Sequence, residues 1–134
     1  MLLNLKLAGA VIVLIWAAAA LHGQQARPPG TTRTDLQRHD LSIPGWESVQ
    51  FRVDFAPGSS FPRHNHPGEE IIYVLEGTIE YALDGQKPVT LKAGEVLFVP
   101  DGVVHAARNP GSTKAAELGT YVVRKGQPLT RITG

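Results

Sequence analysis

The chain has 134 residues, which is enough for one domain, and it contains no cysteine. A metal site in it therefore has to use nitrogen and oxygen ligands, and no disulfide stabilises the fold. The formal charge is only +1, which argues against nucleic acid or an anionic membrane surface as the main partner, because both require clustered Lys and Arg.

The first 23 residues have the pattern of a signal peptide. One cation, Lys6, precedes an apolar run over residues 7–21. Ala18 and Ala20 satisfy the small-x-small rule for cleavage after Ala20, and cleavage after Gly23 fits nearly as well. We therefore expect an exported protein, periplasmic or secreted, with no membrane attachment after cleavage. A retained N-terminal anchor is the alternative, although the apolar run is short for a membrane span.

The next segment, residues 24–34, contains Pro28, Pro29 and Gly30 and too little apolar content for a core element. It is interpreted as a linker or an N-terminal arm. From residue 35 to the end at 134, the chain changes to short segments in which apolar and polar residues alternate, as in half-buried strands. This range is predicted to be a single all-β domain with little or no helix.

Turn signals recur every eight or nine residues along this domain, at Gly68, Gly77, Gly85, Gly94, Gly102 and Gly111. The segments between them are rich in β-branched and aromatic residues. The predicted strands are 49–55, 71–76, 78–83, 88–92, 95–99, 103–109 and 115–124. Such spacing favours an antiparallel sandwich or barrel. A β-solenoid has similar spacing, but the segments share no recurring side-chain signature beyond the glycine, so a closed barrel is preferred.

The candidate metal ligands begin with His64 and His66. They are separated by one residue, so on a strand both imidazoles project from the same face. The Pro67-Gly68 pair predicts a turn that brings Glu70 back toward the same point, whereas Glu69 has the opposite parity and is the weaker candidate. Histidine and carboxylate ligands together indicate a divalent metal ion. The choice among manganese, iron, nickel, copper and zinc stays open.

Two longer patterns resemble the motifs of the cupin superfamily. The first is Gly58-x5-His64-x-His66-x3-Glu70-x6-Gly77, and the second is Gly94-x5-Pro100-x-Gly102-x2-His105-x3-Asn109. The 16 residues between the motifs resemble the spacing in small single-domain bacterial cupins of the cupin_2, quercetin-dioxygenase-like type. The resemblance implies a double-stranded β-helix, which is a jelly-roll-like antiparallel barrel. It also implies a homodimer and a metal bound inside the barrel by His64, His66, Glu70 and His105.

The interior of such a barrel is expected to be a pocket for a small-molecule substrate or ligand. By strand parity, its lining residues are Phe51, Val53, Ile72, Val74, Phe98 and Val103, with Ala107 as a further candidate. Four aromatic residues are interpreted either as residues of the pocket mouth or as ordinary packing: Trp46, Tyr73, Tyr81 and Tyr121. The sequence places no second carboxylate, lysine or nucleophile near the metal. Glu70 itself, or a metal-bound water, is therefore the expected catalytic acid or base.

Three hypotheses for function follow from this ligand set. Four protein ligands leave two open positions in an octahedral shell, which suits a metal-dependent oxidoreductase of dioxygenase-like type. Isomerase, lyase and decarboxylase chemistry are alternatives on the same site. The second hypothesis is an exported, non-catalytic cupin that binds a small molecule or a metal. The third is a closed tetrahedral zinc site with a purely structural role.

Overall fold

The computed structural model describes residues 28–134, so the predicted signal peptide lies outside the described residues. The regular secondary structure in this range consists of β-strands only, which confirms the predicted all-β fold class. The strands are β1 (Thr31–Asp40), β2 (Trp46–Phe55), β3 (Ser60–Asn65), β4 (Gly68–Glu76), β5 (Thr78–Leu83), β6 (Val89–Lys92), β7 (Val96–Val99), β8 (His105–Arg108), β9 (Ala115–Arg124) and β10 (Arg131–Ile132). No helix among the described residues is long and apolar enough to cross a membrane.

The strands form two five-stranded sheets. One has the order β1-β2-β9-β4-β7 and the other the order β10-β3-β8-β5-β6. Every strand pair is antiparallel, in agreement with the predicted jelly-roll-like arrangement. Strand β1 begins at Thr31 and pairs with β2, so residues 31–34 belong to the sheet and not to the predicted arm.

Alternation of apolar and polar residues determines which face of each strand is buried. In β2, the buried residues Val49, Phe51, Val53 and Phe55 alternate with half-buried polar ones. Strands β4 and β9 show the same period of two, and the inward faces of all three belong to one apolar core. Gly77 links β4 to β5 at a φ of 68°, and a Cβ there would collide with the Lys114 carbonyl, so the link requires glycine.

The register across β2, β9 and β4 arranges the inward residues in three successive layers. The first layer contains Val49, Tyr121 and Glu70; the second contains Phe51, Gly119 and Ile72; the third contains Val53, Glu117 and Val74. One buried glutamate therefore lies in the first layer and another in the third, with an apolar layer between them.

Candidate metal centre

Four side chains from three regions of the chain meet at one end of the barrel interior. His64 lies near the end of β3, His66 directly after it, Glu70 on β4 and His105 at the start of β8. Residues His64 and His105 are cross-strand partners in one sheet, and Glu70 projects from the other sheet. The four side chains are between 2% and 6% exposed, and one potential ligand atom from each lies within 4.8 Å of the others. The structure thus brings together all four residues that the sequence suggested as ligands.

Main-chain carbonyls orient the three imidazole rings. The Nδ1–H of His64 donates to the Pro62 carbonyl at 2.7 Å, and that of His105 donates to the Val103 carbonyl at 3.0 Å. The Nδ1–H of His66 donates to the Leu129 carbonyl at 2.6 Å. Because a carbonyl oxygen can only accept, Nδ1 carries the hydrogen in each ring. Each neutral ring then has a lone pair on Nε2, which is the tautomer that metal ligation requires.

Glu70 is held in its ionised form by these histidines. Burial alone would raise the pKa of this carboxyl, but His105 Nε2 lies 3.1 Å from Oε2 and His66 Nε2 lies 3.2 Å from it. The two imidazoles outweigh burial and hold the pKa of Glu70 well below its usual range. Burial also opposes the charged form of His105, yet the hydrogen bond and charge of Glu70 raise its pKa overall. Burial, together with the other two rings, lowers the pKa of His64 to about 4.

The donor atoms of this group fit a divalent metal ion. The Nε2 of His66 is buried and, for all its closeness to Glu70, has no aligned hydrogen-bond partner within residues 28–134. A buried nitrogen without a partner costs free energy unless a ligand satisfies it. Three imidazole nitrogens and one carboxylate oxygen suit manganese, iron, nickel, copper or zinc.

Three of the four residues also border a cavity of about 1010 Å³: His64, Glu70 and His105. The lining includes four residues that parity predicted, namely Phe51, Val53, Ile72 and Ala107. Tyr81 and Tyr121 also line it. A site that is open on one side to a cavity of this size has room for a small molecule.

Three of the predicted lining residues lie elsewhere. Val74 is fully buried in the core and is not part of the cavity wall, and Val103 is half-buried against the core just before β8. Phe98 is 53% exposed because it pairs with Ile71 on the outer face of the sheet, so its assignment to the pocket is corrected. The inward residue at that point of β7 is Val99.

A second buried carboxyl, Glu117, lines the same cavity, and the sequence reasoning missed it. It is 6% exposed, and its Oε2 accepts a hydrogen bond of 2.5 Å from the Tyr81 hydroxyl. Burial, and then the negative charge of Glu70, raise the pKa of Glu117 to about 8, although the Tyr81 hydrogen bond opposes the shift. Parity was the available signal, since Glu117 alternates with Ala115, Gly119 and Tyr121 on the inward face of β9.

A further element of the site comes from the C-terminal strap, defined as residues 127–132. Strand β10 at its end pairs with β3, Ile132 lying opposite His64. Pro128, Leu129 and Thr130 line the cavity, and the Leu129 carbonyl orients His66. The contribution is made by the main chain, so no side-chain pattern in the sequence indicated it.

The chain thus belongs to a class of all-β barrel proteins that hold three histidines and one glutamate, buried together, beside a cavity. A family model described as "Cupin domain" matches residues 51–124, which is more than half of the chain. The chain therefore belongs to the cupin family. The predicted superfamily is confirmed.

Known relatives share parts of this chain. The chain is 38% identical over 87 residues to germin-like protein subfamily 2 member 2 of Arabidopsis thaliana. The aligned region covers 59% of this chain and 40% of that protein. The chain thus spans less than half the length of such relatives. The structure is similar to oxalate oxidase in complex with the substrate analogue glycolate, with a TM-score of 0.64, 27% identity and coverage of 83% of this chain and 59% of that one. It also resembles DMSP lyase DddQ from Ruegeria pomeroyi, with a TM-score of 0.58, 28% identity and coverage of 64% and 43%.

Proposed function

We propose that this protein is a mononuclear metal-dependent cupin that acts on a small molecule in its cavity, as an oxidoreductase of dioxygenase-like type. The observation that carries the proposal is the convergence of three imidazoles and one carboxylate at the wall of a cavity of about 1010 Å³. The likeness to oxalate oxidase supports oxidative chemistry on a small molecule.

In this proposal His64, His66, His105 and Glu70 hold the metal ion. When bound, the ion supplies Lewis-acid and redox chemistry to a substrate oxygen. Glu70 is also assigned as the catalytic base: its depressed pKa keeps it ionised, as both ligation and proton acceptance require, although the low pKa makes it a weak base. The apolar walls of the cavity, including Phe51 and Ile72, exclude water and orient the substrate.

The position of the site argues against a purely structural zinc ion. A closed tetrahedral site would surround the metal with protein on all sides. Here, His64, Glu70 and His105 border the cavity, so a ligand has access to the metal position.

Lyase chemistry is a second candidate function. It is favoured by the likeness to the DMSP lyase and by the presence of a second carboxyl, Glu117, in the cavity, where it is available for proton transfer. Passive binding of a small molecule or metal is the non-catalytic alternative.

Elemental analysis of protein purified without a histidine tag tests the metal. Oxygen uptake is then measured with each candidate metal restored, across enols, flavonols and aromatic diols, and product formation without oxygen uptake indicates non-oxidative chemistry such as that of a lyase. Metal-dependent turnover that is lost in Glu70→Gln supports an enzyme. Wild-type protein that holds no stoichiometric metal, with His64→Ala and His105→Ala causing no change, rejects the proposal.

We also infer export and a homodimer. Export is supported by the N-terminal sequence pattern, and mature-chain mass spectrometry of the natively expressed protein tests it. A homodimer is supported by the outer face of β4 and β7, where Ile71, Tyr73, Val96 and Phe98 are between 44% and 64% exposed. Light scattering on the wild type and on a Val96→Glu variant tests this, since the charge would prevent apolar association.

A further inference from the structure

The Tyr81–Glu117 pair forms a second polar end of the cavity. Tyr81 projects from β5 and Glu117 from β9, so their hydrogen bond crosses from one sheet to the other. Both side chains are buried and both line the cavity that His64 and His105 border. No lysine or arginine in the described part of the chain forms an ion pair with Glu117.

The register fixes the separation between this pair and the metal ligands. Tyr121 lies opposite Glu70, and Glu117 lies opposite Val74, four residues further along both strands. Four residues of extended strand correspond to roughly 13 Å between Cα atoms. The two glutamates therefore approach the cavity from separate positions, and a molecule of the size of one aromatic ring with two substituents can reach both.

The layer between the two ends consists of apolar side chains, and the Arg33 guanidinium lies over the Phe51 ring, 3.9 Å from its centroid. A Cβ on Gly119 would overlap the Phe51 ring, so the glycine leaves the space that this ring occupies. The Phe51 ring packs on Tyr121 with ring centroids 4.4 Å apart, and Ile72 lies on the other side of Gly119. Such a surface suits an apolar body, and preferably a ring.

A structural role alone explains the pair poorly. Apolar packing would join the two sheets without burying a carboxyl, a polar group that can ionise. Tyr81 is the hydrogen-bond partner of Glu117 within residues 28–134, and it contacts Oε2, which leaves Oε1 available to the cavity.

We propose that Glu117 is a specificity-determining residue that selects amphipathic ligands with an apolar ring and two separated oxygen functions. One oxygen function binds at the metal, the ring lies against Phe51 and Ile72, and the other oxygen function exchanges a hydrogen bond with Glu117. Tyr81 is a positioning residue that holds the carboxyl. The inference rests on the proposed function, because it requires a ligand at the metal.

The test uses the full-length protein loaded with Mn²⁺ and three probes: benzoate, 3-hydroxybenzoate and 4-hydroxybenzoate. The carboxylate serves as the metal-binding function, and the hydroxyl is present or absent at the far side of the ring. Calorimetry is expected to show at least one hydroxybenzoate binding about threefold to tenfold more tightly than benzoate, as one added hydrogen bond allows.

The discriminating variant is Glu117→Leu combined with Tyr81→Phe, which removes both polar groups and leaves neither unpaired. We expect it to retain metal and benzoate binding but to lose the preference for the hydroxyl, and Tyr81→Phe alone to reduce the preference. The matched control is Glu80→Gln. Glu80 is next to Tyr81 in the sequence, but its side chain pairs with Arg108 on the outer surface, so this change should leave the ratio of hydroxybenzoate to benzoate affinity unchanged. A merely structural pair would change the melting temperature and not the ratio of affinities. Glu117→Met, of similar volume, provides the same comparison if the double variant does not fold.

The inference is overturned if the metal-loaded wild type binds the three acids equally or not at all, or if the preference persists without Glu117. These outcomes leave the proposed function standing, because the metal is still bound. Failure of the wild type to retain Mn²⁺ or any other candidate metal overturns both together.

Discussion

Glu70 and Glu117 are both buried glutamates on the inward faces of adjacent strands, yet their acidities move in opposite directions. Burial raises the pKa of each. Glu70 faces the Nε2 atoms of two imidazoles, which favour its ionised form, and its pKa falls; Glu117 faces the negative charge of Glu70, and its pKa rises although the Tyr81 hydrogen bond opposes the shift. Burial sets the cost of a charge in the barrel, and the neighbouring groups decide whether the charge is present.

The two ends of the cavity are thereby suited to different tasks. The end with Glu70 holds negative charge beside the lone pairs of imidazoles, which is what a cation requires. At the end with Glu117, the carboxyl accepts a hydrogen bond from Tyr81, and its raised pKa favours the uncharged form below about pH 8. The separation is chemical as well as spatial, and four perturbations test it.

Removal of a ligand at the metal end should have the largest effect. Glu70→Gln or His105→Ala removes a metal ligand that the other three residues cannot replace. Loss of an outer-shell partner alone lowers metal affinity by up to about a hundredfold, so loss of a ligand should lower it by more than that. Elemental analysis and metal titration measure this. Glu117→Gln is the matched control, a buried carboxyl at the other end, and should retain stoichiometric metal. Loss of metal in that control would show that the two ends are not separate.

A pH series tests the Glu117 end. The folded-state pKa of Glu117, about 8, lies above its ordinary value of 4.5, so the folded protein binds this proton more tightly than the unfolded chain does. Its contribution to stability is complete below about pH 4.5 and is lost as the pH rises through 8. Glu117→Gln cannot ionise, so relative to the wild type it should gain a few kcal/mol of unfolding free energy across this window.

Urea unfolding at pH 5, 7 and 9 in the presence of a chelator measures the difference. Both proteins retain Glu70. Its depressed pKa stabilises the folded state above about pH 4.5, and this stabilisation is lost as the pH falls toward about 2. Because both proteins share this contribution, it cancels in the comparison. Parallel stability curves for the two proteins would contradict the raised pKa of Glu117.

The sequence predicts seven of the ten strands, all except β1, β3 and β10, and it predicts the metal ligands, because both signals are local. Turn glycines and a period of two define β4, β5 and β9, and the ligand set follows from two short motifs that resemble those of the cupin superfamily. Phe98 could not be assigned in this way. Strand β7 reads Val96, Leu97, Phe98, Val99, so every position is apolar and alternation gives no information about which face is buried.

The Glu117 end and the C-terminal strap depend on long-range contacts. The inward parity of Glu117 is visible, but its partner Tyr81 is 36 residues away on the other sheet, and only the closed barrel brings them together. The Leu129 carbonyl has no side-chain signature, and β10 has only two residues. The first residues of β1 resemble an arm in sequence because a polar edge strand lacks the apolar alternation of a buried one.

The C-terminal strap provides a test within the metal end. His64 and His105 are oriented by carbonyls two residues earlier on their own segments, whereas the carbonyl that orients His66 is 63 residues away. Deletion of residues 128–134 should therefore weaken metal binding by about ten- to a hundredfold, the typical effect of losing an outer-shell partner. Arg131→Ala, which leaves the main chain intact, is the control. Unchanged affinity in a truncated protein that keeps its β-sheet circular dichroism would show that His66 is oriented without the strap.

The smallest effect is expected in the layer between the two ends. Gly119→Ala places a methyl group where the Phe51 ring lies, so the ring has to move and lose part of its contact with Tyr121. Overpacking of this kind should destabilise the protein by about 1–2 kcal/mol. Thr120→Ser, on the outer face of the same strand, is the control, and chemical denaturation measures both. Metal affinity should stay unchanged, because none of the four ligands lies in this layer. If metal affinity falls together with stability, the displaced Phe51 ring transmits strain through Tyr121 to His66, since the Tyr121 and His66 ring centroids are 4.3 Å apart. The two ends are then mechanically coupled.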